Sequence, residues 1–192
     1  DLCSINELAA VLNSHATQYN IIVKLHYYNL PEDPQSVNKL DKNKIIILED
    51  DTDLLSLLYI SDVILSDNSS AIFDAMLAGK PLIVTDFHDK NYFDEGHRAR
   101  RVYRRGFGSA LTYSGSIEQR IKRDGTVVTL KNLSEFNVKI DEALSKNTLR
   151  ESKQKELISR LFKYKDSESG ARSAKAIYEL FNSKRCFNNA FA

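Results

Sequence analysis

The chain has 192 residues, of which 42% are hydrophobic and 28% are charged, and its formal net charge is +1. This length fits one good-sized domain with or without a small appendage, and no apolar run approaches the roughly 18–20 residues that a membrane span needs. Cys3 and Cys186 match no metal or redox spacing, so they favour a reducing cytosol over a disulfide scaffold. We therefore expect a cytoplasmic protein with no metal site, no tightly bound cofactor and no nucleic-acid partner.

Short apolar runs predict the strands of a parallel sheet, at residues 21–26, 44–48, 63–66, 82–85 and 127–130. Helical patterns lie between and after them, at 4–18, 54–60, 71–78, 134–144, 149–164 and 170–184. Strands that are apolar on successive residues and alternate with helices favour an α/β fold, a Rossmann-like doubly wound parallel sheet flanked by helices. We expect residues 1–146 to form this domain and the helices of 147–192 to pack on it.

Local signals predict where the helices begin and end. Asp51 or Thr52 is expected to cap helix 54–60, and Ser134 to cap helix 134–144. Gly79 is expected to end helix 71–78, just before Pro81. That helix is apolar on every side except at Asp74, so it is expected to be buried all round. Residues 87–116 are expected to be a long loop with helical fragments.

Ligands of such sheets bind beyond the carboxyl ends of the strands. This rule selects four groups of residues, namely His26, the acidic loop 49–53, residues 67–70 and residues 86–88. A lone histidine such as His26 is also commonly structural, and position alone does not decide between the two roles.

Ser69 and Ser70 stand where the third predicted strand turns into helix 71–78. Unpaired N–H groups, the helix dipole and two hydroxyls would suit a phosphate or pyrophosphate there. Ordinary helix capping explains one of the two serines equally well. Asp74 follows Ser70 by one turn on the same face, where it could bind the hydroxyls of a ribose or polyol, or orient a cation such as Arg105.

Residues 51–87 resemble the core of the CDP-glycerol glycerophosphotransferase family, the teichoic-acid polymerases and primases. The shared pattern is an acidic loop and a leucine-rich helix, followed by Ser61-Asp62, Asp67-Asn68-Ser69-Ser70, Phe73-Asp74 and Lys80-Pro81. Flanking segments are similar to the family's K-P-H-P, R-G-F/Y and D-G-x-x-x-x-R motifs, at Lys24-Leu25-His26-Tyr27, Arg105-Gly106-Phe107 and residues 166–172.

The resemblance implies the C-terminal, donor-nucleotide half of a GT-B architecture. In the reaction it implies, an acceptor hydroxyl attacks the glycerol-bearing phosphorus of CDP-glycerol and CMP leaves. His26 and Arg105 would neutralise the donor pyrophosphate, Ser69 and Ser70 would donate hydrogen bonds to it, and Asp74 would complete the pocket.

Lys24, Asp67 and Asn68 lie next to these residues in the same motifs, and they are candidates for positioning the residues that contact the donor. No catalytic residue is expected in this chain, because the family's base lies in an N-terminal domain. We therefore expect the chain to be a fragment of a longer enzyme and inactive alone, with that N-terminal domain as a partner.

The implied role is the biosynthesis of teichoic acid or another cell-surface polymer, with a lipid-linked or polymer acceptor at the inner face of the membrane. The basic stretch 146–165 and the five arginines within 98–105 could hold anionic lipid or polymer during peripheral membrane contact. Two alternatives stay open. The chain could belong to a UDP-sugar glycosyltransferase or 2-epimerase of the same architecture, or it could be a non-catalytic nucleotide-binding module.

Overall fold

The computed structural model describes residues 5–25, 37–48, 51–67, 69–87 and 117–188, with 183–188 described by their backbone alone. The chain divides into two compact units, residues 1–155 and 156–192, and each is considered by itself. The boundary that the sequence places between residues 146 and 147 stays a prediction.

Helices and strands alternate through most of the first unit. Its elements are α1 (Ile5–His15), β1 (Ile21–Lys24), β2 (Ile45–Leu48), α2 (Leu54–Ile60), β3 (Ile64–Ser66), α3 (Ala71–Leu77), β4 (Leu82–Thr85), α4 (Ile117–Arg123), β5 (Val128–Leu130), a 3-10 turn (Leu133–Glu135) and α5 (Phe136–Leu144). Helix α6 (Thr148–Leu161) begins in the first unit and ends in the second, which also contains α7 (Ser169–Asn188).

All strand pairs within the described residues are parallel. β1 pairs with β2, from Ile21 opposite Ile45 to Lys24 opposite Leu48. β4 lies between β3 and β5 in a three-stranded sheet. One hydrophobic core contains buried residues of α1, α5 and both sheets, among them Leu8, Val23, Ile83 and Phe136. The protein is thus an α/β fold with parallel sheets flanked by helices, which confirms the Rossmann-like prediction.

Burial differs between the two sheets. Every residue of β4 is buried, as expected for a central parallel strand. In the two-stranded sheet, however, the paired Ile22 and Ile46 are 40% and 55% exposed, whereas Val23 and Ile45 face the core. Successive apolar residues in β1 therefore do not mean burial on both faces, because exposed and buried positions alternate along this strand.

Helix α3 connects β3 to β4 and is buried on one side only. Ile72 and Ala75 are fully buried, but Leu77 is 42% exposed, so the expectation of burial all round is wrong. The helix ends as predicted at Gly79, whose φ of 68° lies in the left-handed region. The N–H groups of Gly79 and Lys80 donate to the carbonyls of Met76 and Ala75, which is the Schellman arrangement.

Two predicted helix caps are wrong, each by a few residues. α2 is capped by Asp53 rather than Asp51 or Thr52, because the Asp53 carboxylate accepts hydrogen bonds from the N–H groups of Leu55 and Ser56. The turn before α5 is capped by Asn132 rather than Ser134.

Helix α4 was not predicted at all. Its seven residues carry apolar side chains only at Ile117 and Ile121, which is too few for a recognisable stripe. The helix nevertheless buries Gln119, Ile121 and Lys122.

Candidate functional site

The carboxyl ends of β3, β4 and β5 meet at one edge of the three-stranded sheet. Ser66 is opposite Val84, and Thr85 is opposite Leu130. Asp67, Asp86 and Lys131, which follow these strands, therefore lie next to one another at this edge, and the Asp86 N–H donates to the Leu130 carbonyl at 2.9 Å. The topology thus brings the described members of two predicted groups to the same edge, namely Asp67, Ser69 and Ser70 of the first group and Asp86 and Phe87 of the second.

Ser69 and Ser70 have different roles in the turn between β3 and α3. The Ser69 hydroxyl accepts a hydrogen bond from the Ala71 N–H at 3.3 Å, and the Ser69 N–H donates to the Asp67 carbonyl at 2.9 Å. Ser70 occupies the N-cap position with a helical backbone, and its exposed side chain makes no capping hydrogen bond. Capping thus accounts for the first serine and leaves the second hydroxyl at the surface.

The first N–H groups of α3 are bonded within the protein. The Ala71 N–H uses the Ser69 hydroxyl, and the N–H groups of Ile72 and Phe73 donate to the carbonyls of Ser69 and Ser70 at 3.3 and 3.0 Å. The expectation of unpaired N–H groups is therefore wrong, because the chain enters α3 through a tight turn that uses them. An anion at this position would depend mainly on side chains.

Asp74 lies one turn along α3 from Ser70 and is half-buried beside the helix's buried face. Four residues of helix correspond to about 6 Å along the axis. Because α3 begins at the carboxyl edge of the sheet, Asp74 lies below that edge and not on it.

Asp86 forms an ion pair with Lys122 of α4, a residue for which the sequence offered no signal. The Lys122 side chain is only 3% exposed, whereas that of Asp86 is 24% exposed. Burial lowers the pKa of the Lys122 ammonium, and the hydrogen bond and charge of Asp86 act in the opposite direction. Nearby, Glu118 also raises this pKa and Lys131 lowers it. The sheet edge therefore holds a lysine that is buried behind a partly exposed carboxylate.

Other parts of the predicted pattern have structural roles. Hydrogen bonds from Ser56, and from the N–H of Leu55, hold the pKa of the Asp53 carboxyl below its usual value, as expected for a helix cap. The Lys80 ammonium donates to the Tyr59 carbonyl at 2.5 Å, and the Pro81 carbonyl accepts from the Ile64 N–H. Lys80 and Pro81 precede β4, so they lie at the edge opposite to the candidate site.

Three of the predicted site residues, His26, Asn68 and Arg105, lie outside the described residues. Lys24 is half-buried at the end of β1, in the two-stranded sheet. Among the described residues, no group of three or more His, Cys, Asp or Glu side chains is placed to hold a metal ion.

The second unit contains the segment 166–172. The Arg172 guanidinium donates to both carboxylate oxygens of Asp166, at 2.9 and 2.8 Å, and stacks over the Tyr164 ring at 4.1 Å. The hydrogen bond from Arg172 holds the pKa of the Asp166 carboxyl below its usual value. These contacts tie the start of α7 to the chain that precedes it. Over the described ranges, every helix is too short or too polar to cross a bilayer.

Comparison with models of known protein families gives a match that covers most of the chain. Residues 4–179 match the model of the CDP-glycerol:poly(glycerophosphate) glycerophosphotransferase family. The chain belongs to this family. Neither a curated protein nor a solved structure gave a significant match. The glycerophosphotransferase match spans both units, and it confirms the resemblance carried by residues 51–87. It also supports a transferase of the glycerophosphotransferase type.

Proposed function

We propose that this chain binds the nucleotide donor of a CDP-glycerol-dependent glycerophosphotransferase and corresponds to the donor half of a GT-B architecture. The observation that carries the proposal is the juxtaposition of the Ser69–Ser70 turn and Asp86 at the carboxyl edge of β3 and β4, in a chain that belongs to the glycerophosphotransferase family. Open parallel sheets bind their ligands at this edge.

Within this site, Ser70 is the described residue best placed to meet the donor pyrophosphate. Its side chain is exposed at the start of α3 and makes no capping hydrogen bond. Its hydroxyl can therefore donate a hydrogen bond to a phosphate oxygen without disturbing the helix. Ser69, His26 and Arg105 complete the proposed phosphate site, and Asp74 binds donor hydroxyls from below. Lys24, Asp67 and Asn68 support these residues from behind.

The chemistry follows from the donor. An acceptor hydroxyl attacks the glycerol-bearing phosphorus, the bond to the bridging oxygen breaks, and CMP leaves with the negative charge. Hydrogen-bond donors and cations that are fixed around the departing phosphate stabilise that charge in the transition state. In the proposed cellular role, the acceptor is a lipid-linked or polymeric substrate of cell-surface polymer synthesis at the cytoplasmic face of the membrane.

Isothermal titration calorimetry of the purified chain tests donor binding. We expect CDP-glycerol and CDP to bind, and UDP-sugars to bind at least ten-fold more weakly. A hydrogen bond to a charged group contributes about 1.5–3 kcal/mol, so Ser70→Ala should raise the Kd for CDP-glycerol by about 10-fold or more. Ser69→Ala combined with Ser70→Ala should abolish measurable binding.

Ser159→Ala is the matched control, because Ser159 is an exposed helical serine whose hydroxyl bonds only locally, to the Glu156 carbonyl. It should leave the Kd unchanged. Absence of binding by any cytidine nucleotide would refute the proposal, and preferential binding of UDP-sugars would favour a glycosyltransferase instead. Full binding by the double serine variant would show that the phosphate site lies elsewhere.

A further inference from the structure

The pair formed by Asp86 and Lys122 is asymmetric in a way that points to a ligand. Lys122 is almost completely buried, while about a quarter of the Asp86 side chain is exposed at the sheet edge. The ammonium binds Oδ1 of the carboxylate from the protein side. Solvent therefore reaches the carboxylate and hardly reaches the lysine.

Burying a lysine is unfavourable, and an apolar side chain of similar size is often at least as stable in such a position. Lys122 comes from α4, and the ion pair joins it to a residue 36 positions earlier in the chain. The contact fixes the carboxylate at the edge where β3 and β4 both end, which is also the edge at which the Ser69–Ser70 turn begins. Its orientation is thus set by a group that does not itself reach the surface.

Charge explains why a carboxylate at this position needs a buried partner. An unpaired carboxylate beside a pyrophosphate would repel it strongly, because water screens like charges a few ångströms apart only weakly at the edge of a protein. Lys122 neutralises Asp86 without exposing a positive charge. The pair can therefore accept hydrogen bonds from neutral donors next to a phosphate.

We propose that Asp86, held and neutralised by the positioning residue Lys122, accepts a hydrogen bond from a hydroxyl of the nucleotide donor. A carboxylate is an acceptor only, so it selects a hydroxyl and disfavours a phosphate oxygen. The ribose and the glycerol moiety of CDP-glycerol both carry such hydroxyls. This inference rests on the proposed function, because it assigns part of the same donor site.

Pairs of ligands that differ in their hydroxyl groups test the assignment by calorimetry. CDP is compared with 2′-deoxy-CDP for the ribose, and CDP-glycerol is compared with CDP-propanol, which lacks both glycerol hydroxyls. In the wild-type chain, at least one of the two pairs should show a preference of about 10-fold or more for the hydroxylated member. Asp86→Asn should reduce the preference in one pair to about two-fold or less, and Lys122→Met should reduce the preference in the same pair.

The preference within a ligand pair separates this role from a purely structural one, because a distorted site would bind both members more weakly. Glu118→Gln is the matched control, since Glu118 lies near Lys122 and is not proposed to contact the donor. It should leave the preference unchanged. Should Asp86→Asn fail to fold, the double variant Asp86→Asn with Lys122→Met leaves no buried charge and takes its place.

Three results would overturn the inference. The wild-type chain could bind CDP-glycerol and show no preference in either ligand pair. Every preference that it shows could survive in both Asp86→Asn and the double variant. Failure of the wild-type chain to bind any cytidine nucleotide would refute the proposed function and this inference together, which distinguishes the two failures.

Discussion

Replacing Asp86 should lower the stability of the protein much more than replacing its partner Lys122. Asp86→Asn leaves the Lys122 ammonium buried, with 3% of the side chain exposed and without the carboxylate that accepts its hydrogen bond. Lys122→Met leaves instead a carboxylate whose side chain is 24% exposed and can be hydrated. It also replaces a desolvated ammonium with an apolar side chain of similar length.

Breaking a buried ion pair typically costs about 3–5 kcal/mol because one charge remains without compensation. For Asp86→Asn we expect about 3 kcal/mol, the low end of this range, because the amide oxygen of asparagine can still accept a hydrogen bond from Lys122. For Lys122→Met we expect about 1 kcal/mol or less. The measurement is the free energy of unfolding in urea at pH 7, followed by circular dichroism.

The cost of Asp86→Asn should also depend on pH. Burial lowers the pKa of Lys122 and Asp86 raises it, so the pKa in the folded variant falls below that in the folded wild type. Between these two values the folded variant has lost a proton that its unfolded chain, with a pKa near the ordinary 10.5, still holds. The stability of the variant therefore rises with pH relative to the wild type, and the difference should be smaller at pH 9.5 than at pH 7.

The exposed pair of Lys175 and Glu179, within α7, provides the control. Its side chains are 77% and 65% exposed, so Glu179→Gln should change the free energy of unfolding by no more than about 0.5 kcal/mol. The reasoning is refuted if Lys122→Met costs more than Asp86→Asn, or if the cost of Asp86→Asn is the same at both pH values.

Three further changes test the fold that carries the site. Gly79→Ala should lower the free energy of unfolding by about 1–2 kcal/mol, because the left-handed φ of 68° disfavours a Cβ even though no atom lies within 4 Å of it. The control is Gly170→Ala, in a helix and equally open, which should not lower the free energy of unfolding in the same urea assay. Ile72→Ala should cost about 2–5 kcal/mol because the side chain is fully buried, and Val138→Ala, at 64% exposed, should stay within about 0.5 kcal/mol. Asp53→Ala should lower the melting temperature at pH 7. The difference should vanish as the pH falls below the lowered pKa of the Asp53 carboxyl, because the protonated carboxyl no longer caps α2. A difference in melting temperature that persists at that pH would contradict this capping role.

Much of this fold can be predicted from the sequence because its signals are local. The strand from Leu82 to Thr85 begins with three apolar residues and lies between Pro81 and Asp86, and a segment of this length fits a buried strand better than a helix. The end of α3 follows from Gly79 alone. Caps are predicted less well because several polar residues in a row can serve, and packing decides whether Asp53 or a neighbour takes the position.

The Asp86–Lys122 pair could not be predicted in this way. Lys122 belongs to a polar seven-residue helix, and nothing in its neighbourhood distinguishes it from a solvated lysine. Only the packing of α4 at the end of β4 buries it and brings it to Asp86. Such a contact depends on tertiary structure, and periodicity and turn residues carry no information about it.

The balance of charge at the sheet edge also limits what the described residues can do alone. At this edge, in the part that the structure describes, the chain carries the carboxylates of Asp67 and Asp86 and the ammonium groups of Lys122 and Lys131, and the N–H groups that begin α3 are already bonded. These residues therefore provide no net positive charge for a pyrophosphate. A donor site here requires cations from elsewhere in the chain, and His26 and Arg105 are the residues from which the sequence predicts them.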